Sequence, residues 1–413
     1  MAFFIEEQRD ILDRYFKHHS TLSDSHDEML RYLGESLDSF ISKELAPLAA
    51  KNDAVEEFQV GAFKKLGALG FFALPYPEQF GGMNMNPVYY IAGLESLSKG
   101  DSGFTLGVAI HGTTCDGIFR FAGEHLKEKY LPDLIAGKTI GAFGLSEVEA
   151  GSDAKSMRTS YRFDNALGCY LLNGAKFWIT NAPSAQIFFV MARNADRPEE
   201  ISAFIVEQKH ESSFKINPIK DKMGVRGSNT AELIFENHRV PKDHLIGKEG
   251  DGFKYAMHML NGGRTTIGAW AVGIAQAAFE KFLKYAHERK LFGGHLKDLD
   301  NTKREVSEML LAIKAGRELT YAAQYEKAIG HKNFPCNSAL AKIKGTDAAF
   351  MVSERAIQLC GGFGYLRESL MERHLRDAIL GRIGEGANEV LKIMVIPRFV
   401  YQAFETNPLK SNW

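Results

Sequence analysis

The feature that most limits what this chain can fold into is a change of period. Up to about residue 137, apolar residues recur at helical spacing. From about 138 to 245 they fall into short alternating runs, and from about 250 helical spacing returns over longer stretches. A 3.6-residue stripe and a two-residue alternation cannot share one element. The order is therefore helical, then β, then helical. In the first region "HDEMLRYLGESLDSFISKELAPLAA" sets Leu30, Leu33, Leu37, Phe40, Ile41 and Leu45 on one helix face. Further helices are expected around 55–68, 87–98, 103–121 and 124–135. In the second, "TIGAFGLSE", "CYLLNGAKFWITN", "AQIFFVMAR", "ISAFIVEQ", "FKINPIK" and "AELIFENHRV" are divided by Gly, Asn, Pro and charged turns, as in a small barrel or sandwich. In the third, long segments at 251–289, 300–330, 337–360 and 387–404 imply a helical bundle. The expected class is α+β, mostly α. An N-terminal helical domain (1–137), a middle β-barrel domain (138–245) and a C-terminal helical bundle (246–413) are expected.

Composition excludes several function classes. Of the 413 residues, 45% are hydrophobic and 24% charged, as in a soluble globular protein. A formal net charge of -1 supplies no global pull toward nucleic acid or an anionic membrane. The run "IGAWAVGIAQAAF" is shorter than the roughly 20 residues a bilayer span needs. "MAFFIEEQRD" turns acidic at Glu6 and Glu7, which argues against a signal or transit peptide. Cys115, Cys169, Cys336 and Cys360 form no CxxC pair and show no zinc-ligand spacing. Free thiols and a cytoplasmic location are expected, with no metal.

Four segments and one isolated carboxylate carry the chemistry. In "GAFGLSEVEAGSDAKSM" a strand runs into a loop with Gly151, Ser152 and Asp153, which can turn N–H and hydroxyl groups toward a ligand; read alone, it is also an ordinary polar connection. In "LLNGAKFWITNA", Asn173-Gly174 signals a hairpin, and the next strand sets Trp178 and Thr180 on one face. An aromatic plate beside a hydroxyl suits a planar heterocycle, although a buried Trp beside a core-edge Thr is the commoner arrangement. "NGGRTTIGAWAVGIAQAAFEKFLKYAHERKLFG" opens with Asn261 and Arg264 and closes with Arg289 and Phe292. Arginine forks can hold phosphates, or simply cap a helix end. "AIQLCGGFGYLRE" has Gly361, Gly362 and Gly364 but lacks the strand–turn–helix dinucleotide fingerprint. Finally, "GRIGEGANEV" sets Glu385 between Gly384 and Gly386, either a helix-boundary turn or a place where backbone must approach something closely.

Together these segments resemble the acyl-CoA dehydrogenase family from about residue 25 to 404. The resemblance rests on "FGLSEVEAGSDAKSM", "LNGAKFWITNA", "NGGRTTIG", "ERKLFG", "AIQLCGGFGY" and "LRDAILGRIGEGANEV", in order. It implies a C-terminal four-helix bundle, non-covalent FAD shared across a subunit interface, and a homotetramer built as a dimer of dimers. It implies an acyl-CoA substrate and an electron-transfer flavoprotein as acceptor. By the same resemblance Phe143, Leu145 and Ser146 meet the flavin, as do Trp178 and Thr180. Arg289, Phe292 and the run Gln358, Leu359, Cys360, Gly361 and Gly362 also meet FAD. Ala387, Asn388 and Glu389 form the turn over the cofactor. Ser152, Asn261, Arg264 and Gly386 meet the CoA thioester. Glu385 matches the catalytic base, because the alternative position before Arg264 is Gly263.

That assignment implies proton abstraction from the thioester α-carbon by Glu385, hydride transfer from the β-carbon to the flavin, and a trans-2-enoyl-CoA product. The carbonyl oxygen would be held by the Glu385 N–H and a ribityl hydroxyl. An apolar pocket should raise the Glu385 pKa. The chain departs from the family at Ala387 (commonly Thr), Asp300 (commonly Gln) and Val148 (commonly Pro). The "FGLSEVEAGSDAKSM" loop is similar to that of glutaryl-CoA dehydrogenases, but Thr105 replaces their carboxylate-holding Arg, so glutaryl-CoA decarboxylation is not expected. An acyl-CoA oxidase, a DNA-associated flavin-binding relative and a non-catalytic subunit are the alternatives. Residues 1–24 lie outside the resemblance, and "FFIEEQRDILDRYFKH" reads as a helix packed on the core or a partner.

Overall fold

A computed structural model describes residues 2–16 and 23–406. The helix expected at the N-terminus is α1, Glu6–Phe16, with Ile11, Leu12 and Phe16 buried in the core. Lys17 and His18 of that expectation lie outside the described residues. After an irregular helical run over 23–55 come α2 (Val60–Ala68), α3 (Pro87–Gly100), α4 (Ser102–Phe121) and α5 (Glu124–Ile135). Asn86 and Asp101 cap α3 and α4 by accepting from Val88 N and Phe104 N, and the extended Asp101 between them separates the two helices.

The middle region forms one eight-stranded sheet in the order β6-β7-β3-β2-β4-β5-β8, with β1 paired to β4. Its strands are β1 (Gly141–Gly144), β2 (Ser160–Asp164), β3 (Cys169–Thr180), β4 (Ile187–Asn194), β5 (Ile201–Glu207), β6 (Phe214–Pro218), β7 (Thr230–Pro241) and β8 (Leu245–Ile246). Asn173-Gly174 is not the hairpin turn that the sequence suggests. The β2–β3 turn closes at Gly168, where φ is +65°, and Asn173 and Gly174 lie inside β3 at a shift in its register with β7. Gly174 adopts φ +129°, and a Cβ there would meet the Thr159 Cα at 2.6 Å. The glycine serves a bulge and a close backbone crossing.

The C-terminal region holds α6 (Gly252–Glu288), α7 (Asp300–Ala328), α8 (Phe334–Cys360), α9 (Met371–Ile383) and α10 (Ile396–Thr406). Helix α9 was not among the segments read from the sequence. It delivers the chain to Glu385. Trp270, Ala271, Val272, Ile274, Phe282 and Ile313 are fully buried among these helices, so α6 is the central element. Trp270 Nε1 donates to Ser102 O at 2.8 Å, tying α6 to the start of α4. Residues Arg317 and Glu95 are both fully buried and form an ion pair that Glu7 of α1 completes from outside. No helix of the described residues is long and apolar enough to cross a membrane. The four cysteines form no disulfide.

Candidate active site

Glu385 stands just past the end of α9. Gly384 takes an extended conformation (φ -71°, ψ 161°) and ends the helix. Glu385 and Gly386 then take φ +54° and +90°. A left-handed glutamate is strained by about 1–3 kcal/mol and persists only where its surroundings hold it. The two left-handed residues swing the carboxylate back over α6. There, a Cβ added to Gly263 would sit 2.6 Å from Oε2 of Glu385. Only glycine at 263 leaves the carboxylate its place.

The residue is partly accessible, but its Oε2 atom is sealed from solvent and has no hydrogen-bond partner. Desolvation raises the Glu385 pKa to about 7, against the opposing pull of Arg264 and Lys342. The Glu385 backbone N–H also makes no hydrogen bond among the described residues. One short segment thus offers an unengaged basic oxygen and an unengaged donor.

Arg264 is 6% exposed and donates through Nη1 to Asn261 Oδ1 at 2.6 Å, while its Nε is unpartnered. Burial lowers its pKa, partly restored by Glu385. A Cβ on Gly386 would come 3.9 Å from Arg264 Nη2, so Asn261, Arg264, Glu385 and Gly386 are one cluster. Ser152 is exposed on the loop after β1, and nothing ties it to that cluster.

Residues at the end of β1 and on β3 form a second group. Phe177 N donates to Ser146 O at 2.8 Å, and the fully buried Lys176 donates to Leu145 O at 3.0 Å and Glu147 Oε1 at 2.8 Å. Glu147 also accepts from the backbone N–H groups of Arg158 and Thr159, which anchors the loop carrying Ser152. Trp178 takes φ +63° at a shift in register between Lys176 and Ile179. Ile179 is buried, while Trp178 is 58% exposed and Thr180 is half-buried. The outward indole has not buried its apolar face. Phe143 differs: its ring is 8% exposed and packs edge-on against Phe189 in the core.

A third group lies at the far end of α6. Tyr285 stacks on Phe363 at 4.8 Å, bringing the α6 terminus with Arg289 beside Gly361 and Gly362. Phe292 is 91% exposed at φ +49°. Gln358 is exposed and Leu359 half-buried on α8, and Cys360 is buried. Nothing lies within 4 Å of a Cβ added at Gly361 or Gly362, which leaves an open backbone surface. From Arg264 to the end of α6 is about 36 Å at 1.5 Å per residue, so this third group is remote from Glu385 in the same chain. Asp300 heads α7 fully exposed and pairs with Lys303.

The turn after Glu385 is hung from α8. Lys342 Nζ donates to Gly386 O at 2.7 Å and Asn388 Oδ1 at 2.8 Å, and Asn388 Nδ2 reaches Thr346 Oγ1 and Asp347 Oδ1. Asn388 is fully buried by these contacts, Glu389 is exposed and Ala387 heads a short helical turn. Lys342, Lys176 and Glu147 did not emerge from the sequence reading. Their local signal is weak: Lys176 is the single charge in "LLNGAKFWITNA", and Lys342 is one of three charges in "SALAKIKGTDAA". An open groove of about 1130 Å³ near Lys209, Glu211, Arg239 and Lys242 shares no residue with these groups. No cluster of metal-ligating side chains occurs among the described residues.

The sequence matches three domain families: acyl-CoA dehydrogenase N-terminal domain over 27–138, middle domain over 142–238 and C-terminal domain over 250–400. A short-chain specific acyl-CoA dehydrogenase of Clostridium acetobutylicum is 38% identical over 361 residues, covering 86% of this chain and 94% of that protein. The structure of butyryl-CoA dehydrogenase from Megasphaera elsdenii superposes with a TM-score of 0.86 at 33% identity, over 96% of this chain and 98% of that one. An acyl-CoA dehydrogenase from Bacillus anthracis, solved with FAD, gives 0.85 at 28% identity, over 93% of this chain and 68% of that one.

Proposed function

This chain belongs to the acyl-CoA dehydrogenase family, an oxidoreductase family, and we propose that it converts an acyl-CoA thioester to the trans-2-enoyl-CoA with Glu385 as the base. The observation that carries this reading is the Glu385 carboxylate. Its Oε2 is sealed and unengaged beside Gly263 and Arg264, and its pKa is raised to about 7. A base poised near the working pH combines a useful ionised fraction with driving force for proton removal.

Glu385 takes the proton from C2 of the acyl group. Charge then develops on the thioester oxygen, and the free N–H of Glu385 is the donor this chain offers it. Arg264, already oriented by Asn261, holds the Glu385–Gly386 turn and the CoA end of the substrate. Ser152 is the outer contact. Bound FAD supplies the acceptor for the hydride that leaves C3. Ser146, Trp178 and Thr180 fit the planar end of such a group, as an exposed indole flanked by hydroxyls. Leu145 backs them from the core. Asn388 supports the turn from below, while Ala387 and Glu389 line it.

Arg289, Phe292 and the 358–362 run also suit a cofactor, but they stand about 36 Å along α6 from Arg264. We assign them to the FAD of a neighbouring copy. The family's homotetramer, with FAD shared between subunits, accounts for both groups. Electrons leave to an electron-transfer flavoprotein. Thr105 is fully buried and donates its hydroxyl to Asp101 O at 2.7 Å, so it offers no charge to a distal carboxylate. The named relatives point to short straight acyl chains.

The test is anaerobic titration with a panel of saturated acyl-CoAs, following the flavin's visible band. Bleaching by short-chain substrates, and its loss in Glu385→Gln, is the expected result. A yellow protein that no acyl-CoA bleaches overturns the reading.

A further inference from the structure

Lys342, like Arg264, is a buried cation of the site that makes no ion pair among the described residues. Its side chain is fully buried in α8. Its acceptors are the neutral Gly386 O at 2.7 Å and Asn388 Oδ1 at 2.8 Å. Burying an ammonium group without a carboxylate partner is costly. A methionine of similar length would fill the same space without that cost, so packing alone does not account for a lysine here. The two acceptors lie in the turn that immediately follows Glu385. Asn388 is itself fastened to Thr346 and Asp347, one turn further along the same helix face.

We propose that Lys342 is the positioning residue of the base: its ammonium group pins the Gly386 carbonyl, fixes the left-handed Glu385–Gly386 turn, and by its charge favours the ionised carboxylate. The charged groups facing it are Glu385 and Glu389 from the turn, Asp347 from its own helix and Arg264 from α6. Arg264 acts on Glu385 in the same direction but from the substrate side. Lys342 acts from behind the turn, away from substrate. The inference rests on Glu385 being the base.

The experiment compares Lys342→Met and Lys342→Arg with wild type as FAD-loaded enzymes, reading the acid limb of kcat/KM. Loss of the charge raises the Glu385 pKa, so in Lys342→Met the limb moves up by at least about 0.5 pH unit. Lys342→Arg keeps the wild-type limb, with a lower kcat from imperfect fit. An unmoved limb in folded Lys342→Met overturns the proposal. A second reading needs no variant. Burial lowers the Lys342 pKa to about 8, so amide exchange at Gly384 and Leu391, whose N–H groups donate to Leu380 O and Ala387 O at the two ends of the turn, corrected for intrinsic rates, should lose protection between about pH 7 and pH 9.5. Unchanged protection also overturns it. Turnover retained in Glu385→Gln would remove the premise instead, whereas an unmoved limb beside an inactive Glu385→Gln removes only the role of Lys342.

Discussion

Glu385 and Gly263 occupy a single steric slot: a Cβ on Gly263 would lie 2.6 Å from Oε2 of Glu385 and 3.1 Å from its Cδ. The two residues are far apart in sequence: Gly263 lies within α6 and Glu385 in the turn after α9. The carboxylate is the free end of a flexible side chain, so Gly263→Ala moves the base and leaves the backbone alone. Displacing a catalytic group by about 1 Å costs on the order of 100-fold in rate. Steady-state kinetics of Gly263→Ala should show that loss in kcat/KM, with a Tm close to wild type. Near-normal turnover would mean that the carboxylate tolerates the methyl group.

The raised Glu385 pKa has a stability consequence. A carboxyl whose folded pKa lies above its ordinary value of 4.5 is favoured protonated in the fold. That contribution is fully present below pH 4.5 and is lost as pH rises toward about 7. Glu385→Gln removes the ionisation. Its Tm should therefore exceed that of wild type at about pH 8, with the gap closing as the pH falls toward 4.5. Thermal scans across that range decide it. The same ionisation makes kcat/KM rise with pH through about 7.

Trp178 separates cofactor binding from folding. It is 58% exposed, so its truncation removes little buried surface. In cofactor-stripped protein, Trp178→Ala should change stability by less than about 0.5 kcal/mol. The same variant, reconstituted, should hold FAD more weakly or with an altered visible spectrum. Equal FAD content and spectrum would exclude Trp178 from the cofactor surface.

The Arg317–Glu95 pair makes a purely structural prediction. Both side chains are fully buried, and Glu95 Oε2 also accepts from the Tyr321 hydroxyl at 3.0 Å. Arg317→Met strands a buried carboxylate, which costs about 3–5 kcal/mol. The arginine also binds Glu7, so α1 should loosen as well. Denaturant unfolding measures the first effect, and amide exchange over Glu6–Phe16 the second. A change under about 1 kcal/mol would show that Glu95 is relieved by protonation.

Legibility was uneven for a physical reason. The helices at 87–98, 103–121 and 124–135 emerged within a few residues of Pro87–Gly100, Ser102–Phe121 and Glu124–Ile135, because their apolar stripes are local. Asn173-Gly174 misled because its signal is local too: it marks an exceptional backbone but cannot tell a hairpin turn from a bulge. Helix α9, "MERHLRDAILGRI", is dense in arginine and shows no clean apolar stripe, although its buried Arg373, His374 and Asp377 make it an interior helix. Its polar residues read as surface because their burial depends on α4 and the β6–β7 connection, where Ser102 and Val225 N meet Asp377.

By itself the sequence determined the succession of helical, sheet and helical regions and the family, and it put forward Glu385, not Gly263, as the candidate base. Periodicity and motif order are properties of neighbouring residues, and they survive without coordinates. Only the tertiary structure decided how that base is made. It brings Gly263 and Arg264 from α6 against one side of the Glu385 turn and Lys342 from α8 against the other. Desolvation and fixed charge act through space, not along the chain. A carboxyl with an ordinary pKa in the unfolded chain therefore becomes a neutral-range base only after distant helices have closed around it.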